Sequence, residues 1–292
     1  MEIVNAIILG IVQGLTEWLP VSSTAHLRLV PVALGWSDPG AAFTAYLQLG
    51  TLLAVLIYFK SDLSKAFKGW VAGISDKAKR TTNEFKMGQA IFLGSIPIIV
   101  LGFIFKDKIE GNLRSLSVIA FGLIFMGLFM LVAERFGKQT KTLNDVTPTN
   151  GLIIGLWQAL ALIPGFSRSG STMTGGLLQG FDRVTAAKFS FLLSVPSVFL
   201  AGIYSMYRHK SEIGGLIMPI LVGNLFSFAV GYLTIGLFMK LIQTRGNLPF
   251  IIYRVCLGAF IFAMIWSGKL DPMAGISTKT TMKESNVSQE AR

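Results

Sequence analysis

Residues 13–26 read QGLTEWLPVSSTAH, and this stretch interrupts an apolar run that begins near residue 3. Proline cannot continue a helix interior, and serine and threonine are good N-terminal caps. We therefore predict a helix over about 3–19, a sharp break at Pro20, and a second short helix over about 24–35. Neither half has the roughly 20 apolar residues that a membrane crossing needs. We predict that the pair is re-entrant, dipping into a membrane and returning to the same side.

A second stretch, PGFSRSGST at residues 164–172, breaks another apolar run in the same way. It predicts a helix over 150–163, a break at Pro164, and a short helix to about residue 180. Six other segments are apolar enough to span a membrane: 40–59, 87–105, 116–134, 185–207, 215–240 and 249–267. The sequence therefore predicts an all-α polytopic membrane protein with six transmembrane helices and two re-entrant helix-loop-helix pairs.

The order of these segments repeats, because each half of the chain has one broken pair followed by three spans. Three spans carry the chain to the opposite face, so this order predicts an inverted-topology repeat with halves of about 1–134 and 149–268. LPVSS at 19–23, laid beside IPGFS at 163–167, gives weak local support. We predict one integral membrane domain over 1–268 and a polar, disordered tail over 269–292.

Composition agrees with a membrane protein, since 52% of the 292 residues are hydrophobic and only 14% are charged. Soluble domains carry about 25% charged residues. The net charge of +11 does not indicate nucleic acid binding, because the basic residues cluster in short loops between apolar runs. Cys256 is the only cysteine, which excludes an intramolecular disulfide and a four-cysteine zinc site.

The lysines and arginines of the short loops predict the orientation. The 60–86 loop carries seven of them, and the 135–148 and 241–248 loops fall on the same side of the predicted topology. This side is predicted to be cytoplasmic, since cytoplasmic loops carry an excess of positive charge. The loops around 106–114 and 208–210 carry five and lie opposite. Both termini are therefore predicted to lie outside.

The first break holds a group of polar residues that points to chemistry. Gln13 and Glu17 are four residues apart and share a helix face. An acidic residue inside a membrane is a functional candidate by default, although Glu17 at the interface would simply be solvated. Ser22, Ser23 and Thr24 open the second short helix, where free N–H groups and the helix dipole favour an anion. Simple capping would explain one of the three hydroxyls.

His26 and Arg168 complete the candidate site. His26 lies about one turn beyond the serines and could act as base, acid or nucleophile near neutral pH. Arg168 lies in the second break between Ser167 and Ser169, and its guanidinium fork binds phosphate at two points. The alternative for Arg168 is snorkelling to the interface.

In an inverted repeat the two breaks meet near the middle of the membrane. This arrangement would place Arg168 against Glu17, Ser23 and His26, a set that suits phosphoryl transfer and makes the domain catalytic. For Arg254, near the start of the last span, we expect snorkelling.

The two breaks resemble the signatures of the undecaprenyl-pyrophosphate phosphatase family, also called the bacitracin resistance proteins. The first signature is a Glu or Gln, three variable residues and a Glu, followed by Leu-Pro-x-Ser-Ser-Thr-x-His, and it corresponds here to residues 13–26. The second signature is Pro-Gly-x-Ser-Arg-Ser-Gly, and it corresponds here to residues 164–170. The likeness covers about residues 3–267. It implies hydrolysis of undecaprenyl diphosphate to undecaprenyl phosphate and inorganic phosphate. This reaction recycles the lipid carrier of peptidoglycan synthesis, maintains cell shape and confers bacitracin resistance.

The resemblance also implies roles and partners. Glu17, Ser23, His26 and Arg168 would be catalytic, with Ser23 or His26 as nucleophile or base. Glu17 would orient the histidine or help hold a divalent cation, Mg²⁺ or Ca²⁺, but the neutral Gln13 leaves the motif one carboxylate short. We further expect substrate-binding roles for Gln13, Ser22, Thr24, Ser167, Ser169 and Thr172.

The expected partners are the polyprenyl diphosphate substrate and membrane lipids. Nucleic acid is not an expected partner, and the sequence does not decide between a monomer and a homodimer. The expected location is the bacterial plasma (inner) membrane, with the active site opening to the outer face.

A transporter or flippase for a lipid phosphate or another anion is the alternative, because transporters also use inverted repeats with broken helices. The group of Glu17, Ser23 and His26 discriminates between them, since binding an anion needs Arg168 and the helix ends but no base. A purely structural scaffold leaves the polar breaks unexplained.

Overall fold

The computed structural model describes residues 2–110, 112–209 and 214–274. These residues form helices joined by turns and contain no β-strand beyond an isolated bridge between Lys141 and Phe181. The α-helices are α1 (Ile3–Thr16), α2 (Ser23–Ala33), α3 (Gly40–Tyr58), α4 (Lys60–Ser75), α5 (Asn83–Ile104), α6 (Lys106–Glu110), α7 (Leu116–Phe136), α8 (Pro148–Ala159), α9 (Arg168–Leu178), α10 (Arg183–Arg208), α11 (Ile217–Arg245) and α12 (Leu248–Trp266). Short 3-10 helices occupy Lys77–Thr81, Asn112–Arg114, Leu143–Asp145, Leu160–Leu162 and Gly214–Leu216.

Six helices, α3, α5, α7, α10, α11 and α12, are long and apolar enough to cross a membrane. They coincide with the six predicted segments, and their ends differ from the predicted ends by five residues at most. Large apolar side chains cover their outward surface, as at Phe103, Leu225 and Leu233. A soluble protein rarely exposes so continuous an apolar surface. The prediction of an all-α protein with six membrane-spanning helices is confirmed at this level.

Each predicted helix–break–helix is also present. The four short helices α1, α2, α8 and α9 have 14, 11, 12 and 11 residues. At about 1.5 Å per residue each is about 21 Å long or shorter, below the roughly 30 Å of the hydrocarbon core. None of the four helices is therefore long enough to cross a membrane by itself.

Both breaks end on a serine in the left-handed region of backbone conformation. Ser22 has a φ of 72° and Ser167 a φ of 68°. Each caps the helix that follows, since its Oγ accepts the N–H group of the residue three positions on. Ser22 therefore has the same structural position as Ser167. The alignment of 19–23 with 163–167 pairs Ser167 with Ser23 instead, and so is wrong by one residue at the serines. The extra residue of the second break is accommodated by Gly165, whose φ is 94° and whose Cβ would collide with the carbonyl of Ile119.

The broken pairs pack against spans of the other half of the chain. α1 packs against α11, and α8 packs against α5. Small residues make both crossings close: Gly10 meets Gly223, and Gly155 meets Gly94. Such close backbone approach is the usual way in which helices associate in a membrane. The broken pairs are thereby held inside the bundle beside α10, which contacts α3, α5, α9 and α11.

Two segments differ from the predictions. Most of the 60–86 loop is the amphipathic helix α4, which packs across α5 through Gly69, Gly73 and Gly88. The prediction of disorder is wrong for residues 269–274. There, Leu270 packs against a buried cluster and the carbonyl of Pro272 accepts the N–H group of Leu116 at 2.9 Å. The rest of the predicted tail lies outside the described residues.

The contact between α5 and α8 yields a stability prediction. A Cβ at Gly155 would come within 2.7 Å of the Gly94 carbonyl carbon, so Gly155→Val must push the two helices apart. We expect the free energy of unfolding in detergent to fall by about 1–3 kcal/mol. Gly215→Val is the matched control, because a Cβ there meets no described atom within 4 Å. Equal melting temperatures for the two variants would refute this close contact.

Candidate active site

The carboxylate of Glu17 joins the two breaks. Its Oε2 accepts hydrogen bonds from Gln13 Nε2 at 2.9 Å and from Ser23 Oγ at 2.6 Å. Its Oε1 forms a buried ion pair with the guanidinium of Arg168. The structure thus brings together Glu17 and Ser23 from the first break and Arg168 from the second.

Local sequence explains how these groups come to face one another. Glu17 is the C-terminal cap residue of α1, so it stays on the helix face of Gln13, one turn earlier. Ser23 is the first residue of α2, and Arg168 is the first residue of α9. The three side chains therefore occupy helix ends, where the backbone changes direction and side chains converge.

The electrostatics of this arrangement favour a further anion. Arg168 is placed at the N-terminus of α9, where the helix dipole already carries positive charge, and one carboxylate balances it. Its Nη1 is buried and has no hydrogen-bond partner among the described residues. The guanidinium carbon also lies 5.5 Å from the centre of the Trp18 ring. One nitrogen of the fork is therefore without a protein acceptor in the described part of the chain.

A cavity of about 670 Å³ opens onto this group. Its lining includes the polar side chains of the two breaks, which are Glu17, Ser22, Ser23, Thr24, Ser167 and Arg168. Other polar side chains also line it: Thr44, Gln48, Ser197, Tyr204, Ser205 and Tyr207. From there the cavity extends along α3, α5 and α10. Its walls are mainly apolar on α5, from Ile98 to Phe103, and on α10, from Val198 to Ile203. Lys106 and Arg114 also contribute to its wall. The cavity suits a ligand with an anionic head and a long apolar body.

The other predicted substrate-binding residues lie behind this lining. Gln13 is fully buried and bonds to Glu17. Ser169 Oγ donates to the carbonyl of Leu19 at 3.0 Å and so ties the second break to the first. Thr172 Oγ1 lies 2.6 Å from the hydroxyl of Ser190 on α10. These side chains position the breaks relative to each other and to α10.

His26 is placed beside the site, with both ring nitrogens engaged. Its Nδ1 lies 2.8 Å from the carbonyl oxygen of Ser22, and its Nε2 lies 2.6 Å from the hydroxyl of Tyr253 on α12. The two rings are nearly parallel, with an interplanar angle of 7°. Sequence reasoning missed Tyr253, because a tyrosine in an apolar span carries no distinguishing local pattern.

The expectation that Arg254 snorkels to the interface is wrong. This side chain is fully buried and points into the protein. It donates to five backbone carbonyls, which belong to Pro20, Gly122, Leu123, Gly165 and Phe166. Broken helices leave carbonyls without an intrahelical donor, and such groups are costly inside a membrane. Arg254 satisfies carbonyls of both breaks at once, a role that its charge inside a span could have suggested.

The expected divalent cation does not fit the residues around Glu17. The oxygens of this single carboxylate already accept three donors, one of which is the positive guanidinium of Arg168. Gln13 adds no charge, and the described residues contain no group of three His, Cys, Asp or Glu side chains able to hold a metal. Hard cations need several oxygen ligands. We therefore assign no chemical step to a cation held by the protein.

Comparison with known proteins gives a consistent result. The family model described as bacitracin resistance protein BacA matches residues 6–260. The undecaprenyl-diphosphatase of Thermobifida fusca (strain YX) is 46% identical over 279 residues, which cover 94% of each chain. The undecaprenyl-diphosphatase of Myxococcus xanthus (strain DK1622) is 44% identical over 278 residues, covering 94% of this chain and 93% of the relative. That of Chloroherpeton thalassium (strain ATCC 35110 / GB-78) is 45% identical over 281 residues, covering 93% and 99%.

The buried position of Arg254 yields a testable prediction. Lysine has three donors, so Arg254→Lys loses at least two of the five hydrogen bonds, each of which contributes about 0.5–1.5 kcal/mol. We expect the free energy of unfolding in detergent to drop by about 2 kcal/mol or more. Arg208→Lys is the control, because Arg208 pairs with Asp107 at the surface, where ion pairs contribute about 1 kcal/mol or less. A loss no greater than in the control would contradict the bridging role of Arg254.

Proposed function

The chain belongs to the bacitracin resistance protein BacA family, and from this premise we propose that its cavity hydrolyses undecaprenyl diphosphate. The products are undecaprenyl phosphate and inorganic phosphate, so the enzyme recycles the lipid carrier for cell-wall synthesis and confers bacitracin resistance. One observation supports the proposal above all others. Glu17 contacts the hydroxyl of Ser23 and the guanidinium of Arg168 in the wall of a mainly apolar cavity.

The shape and charge of the cavity fit this substrate. The diphosphate would occupy the space between the N-termini of α2 and α9, where N–H groups and helix dipoles stabilise negative charge. Arg168 would bind it through the unpaired Nη1 and, on leaving Glu17, through Nη2. The prenyl chain would lie along the apolar walls of α5 and α10.

The same contacts suggest a chemical sequence in which Ser23 is the nucleophile. Glu17 accepts the proton of the Ser23 hydroxyl, to which it is already hydrogen-bonded. The Ser23 oxygen forms a bond to the terminal phosphorus, the anhydride bond between the two phosphorus atoms breaks, and undecaprenyl phosphate leaves. Water then hydrolyses the phosphoserine and releases phosphate. Arg168 and the helix ends stabilise the charge that develops on the transferred phosphoryl group.

We include in this proposal the re-entrant pairs and the inverted repeat. The interhelical contacts support it, because the first helix of each half packs against the second span of the other half. The equivalent caps Ser22 and Ser167 support it as well, since both adopt the same unusual backbone conformation. With a cytoplasmic 60–86 segment, the α6 side of the cavity would face outward. We therefore include in the proposal a site in the bacterial plasma membrane that opens to the outer face.

Hydrolysis is tested by measuring phosphate release from a C55 or C15 prenyl diphosphate by the purified protein. We expect turnover by the wild type and at least a 100-fold loss in Arg168→Lys, which keeps the charge but loses the two-point fork. Glu17→Gln should be similarly impaired, while Arg208→Lys, at the surface, serves as the control.

Near-normal turnover by Arg168→Lys would show that Arg168 is not the phosphate clamp. A wild type that moves the lipid across the bilayer without releasing phosphate would favour the transporter.

Orientation is tested by reporter fusions in bacterial cells. Alkaline phosphatase, which is active only outside the cytoplasm, should be active when fused after Met282 and inactive when fused after Thr140 in the 135–148 loop. The expected difference follows from the excess of lysine and arginine in the loops on the cytoplasmic side. The opposite pattern would reverse the proposed topology and the outward opening of the site.

A further inference from the structure

We propose that Tyr253 is a positioning residue that acts through His26 to fix the N-terminal cap of α2, and thereby the place of the Ser23 hydroxyl. The chain of contacts runs from the Tyr253 hydroxyl to His26 Nε2 at 2.6 Å, and from His26 Nδ1 to the Ser22 carbonyl at 2.8 Å. Ser23 is the next residue. The inference rests on the proposed function, because it concerns how the nucleophile of that reaction is oriented.

The two serine caps of the molecule show why the first one needs such support. At the second break the carbonyl of Ser167 accepts the backbone N–H group of Ser171 at 2.9 Å, an ordinary helical bond. At the first break the corresponding backbone bond, from His26 N to Ser22 O, is long, at 3.4 Å, and Ala25 N donates to the same carbonyl at 3.1 Å. The imidazole of His26 supplies the shortest bond to that carbonyl, at 2.8 Å. At the first cap a side chain thus reinforces backbone bonds that are longer than the one at the second cap.

The conformation of Ser22 makes that bond important. A residue other than glycine with a φ of 72° is in a sparsely populated region, at a cost of about 1–3 kcal/mol. Such a conformation persists only when its surroundings hold it. The cap bond of Ser22 itself, from Ala25 N to Oγ, is weak at 3.4 Å. The short bond from His26 Nδ1 therefore adds to the local restraint on the residue that precedes Ser23.

Hydrogen-bond chemistry fixes the state of the imidazole. Because Nδ1 faces a carbonyl, which only accepts, Nδ1 must carry a proton. Nε2 can then accept the proton of the Tyr253 hydroxyl, and the stacked rings keep this geometry. An imidazole held by two such bonds orients the backbone, whereas a nucleophile or base would need one nitrogen directed at the substrate. Misplacing a nucleophile by about 1 Å can cost about 100-fold in rate.

Two substitutions of His26 separate positioning from catalysis. The amide nitrogen of asparagine can take the place of Nδ1 and donate to the Ser22 carbonyl, whereas glutamine places its amide near Nε2. Neither can act as a nucleophile. If His26 positions Ser22, we expect His26→Asn to keep kcat within about tenfold of the wild type, and His26→Gln to lose about 100-fold. Thermal unfolding of both proteins in detergent checks that they are folded.

Tyr253→Phe completes the test, since it removes the hydroxyl and keeps the stacked ring. We expect kcat for phosphate release to fall about five- to tenfold at unchanged KM, and no further fall when the change is made in the His26→Asn background, where the contact to Tyr253 is already gone. Tyr232→Phe, on the similarly exposed Tyr232 of α11, is the control and should leave kcat unchanged.

Each remaining outcome decides one of the two proposals. Equal, near-complete loss in His26→Asn and His26→Gln would make His26 a catalytic group and overturn the inference. Unchanged kcat in Tyr253→Phe would show that Tyr253 does not position His26, and would overturn the inference for Tyr253. A wild type that releases no phosphate would instead overturn the proposed function, before any variant is compared.

Discussion

The structure depends on one constraint, which is that backbone groups freed by a broken helix must find partners inside the protein. Both breaks lie at helix ends within a bundle whose outer surface is apolar. Water is scarce at such depth, so an unpaired carbonyl there costs several kcal/mol. Arg254 meets this constraint with five hydrogen bonds that reach both breaks and α7. The charge of the arginine is dispersed over carbonyl dipoles and needs no carboxylate.

The same constraint creates the site. Ending α1 and starting α2 and α9 within the bundle leaves helix N-termini that face a common space and favour an anion. Glu17 and Arg168 neutralise each other across that space, so the dipoles and the free guanidinium donor remain for a ligand. A diphosphate that displaces Glu17 from Arg168 would free the carboxylate to take the serine proton. In the proposed reaction, binding and activation of the nucleophile are therefore coupled through one ion pair.

The two breaks have similar backbone geometry at their serine caps but carry different functional side chains. Ser22 and Ser167 are equivalent caps with nearly equal φ angles. One is followed by Ser23, which donates to Glu17, and the other by Arg168, which pairs with the same carboxylate. The first half thus contributes the hydroxyl and the carboxylate, and the second half contributes the cation. In the proposed reaction the nucleophile and its base therefore come from the first half, and the phosphate-binding cation comes from the second.

Much of this arrangement was readable from the sequence. Apolar runs of about 20 residues predicted the six spans, and proline with serine clusters predicted both breaks, because these signals are local. The meeting of Glu17 with Arg168 could be predicted from the order of segments and from the cost of a charge inside a membrane. The amphipathic helix α4 was missed because its lysines were read only as a loop signal for orientation.

What only the tertiary structure decided concerns contacts between segments far apart in the chain. Arg254 and Tyr253 are adjacent in an apolar span. The charge of Arg254 inside the span suggests an internal role, but no local pattern indicates that it bonds to both breaks or that Tyr253 bonds to His26. Likewise, Thr172 in a predicted phosphate-binding cluster turns out to bond to Ser190 on α10. Sequence determines where a helix must start, stop or avoid water, because the free energies involved depend on residues within a few positions of one another. Which partner relieves the cost depends on how the helices pack, and packing is a property of the whole bundle.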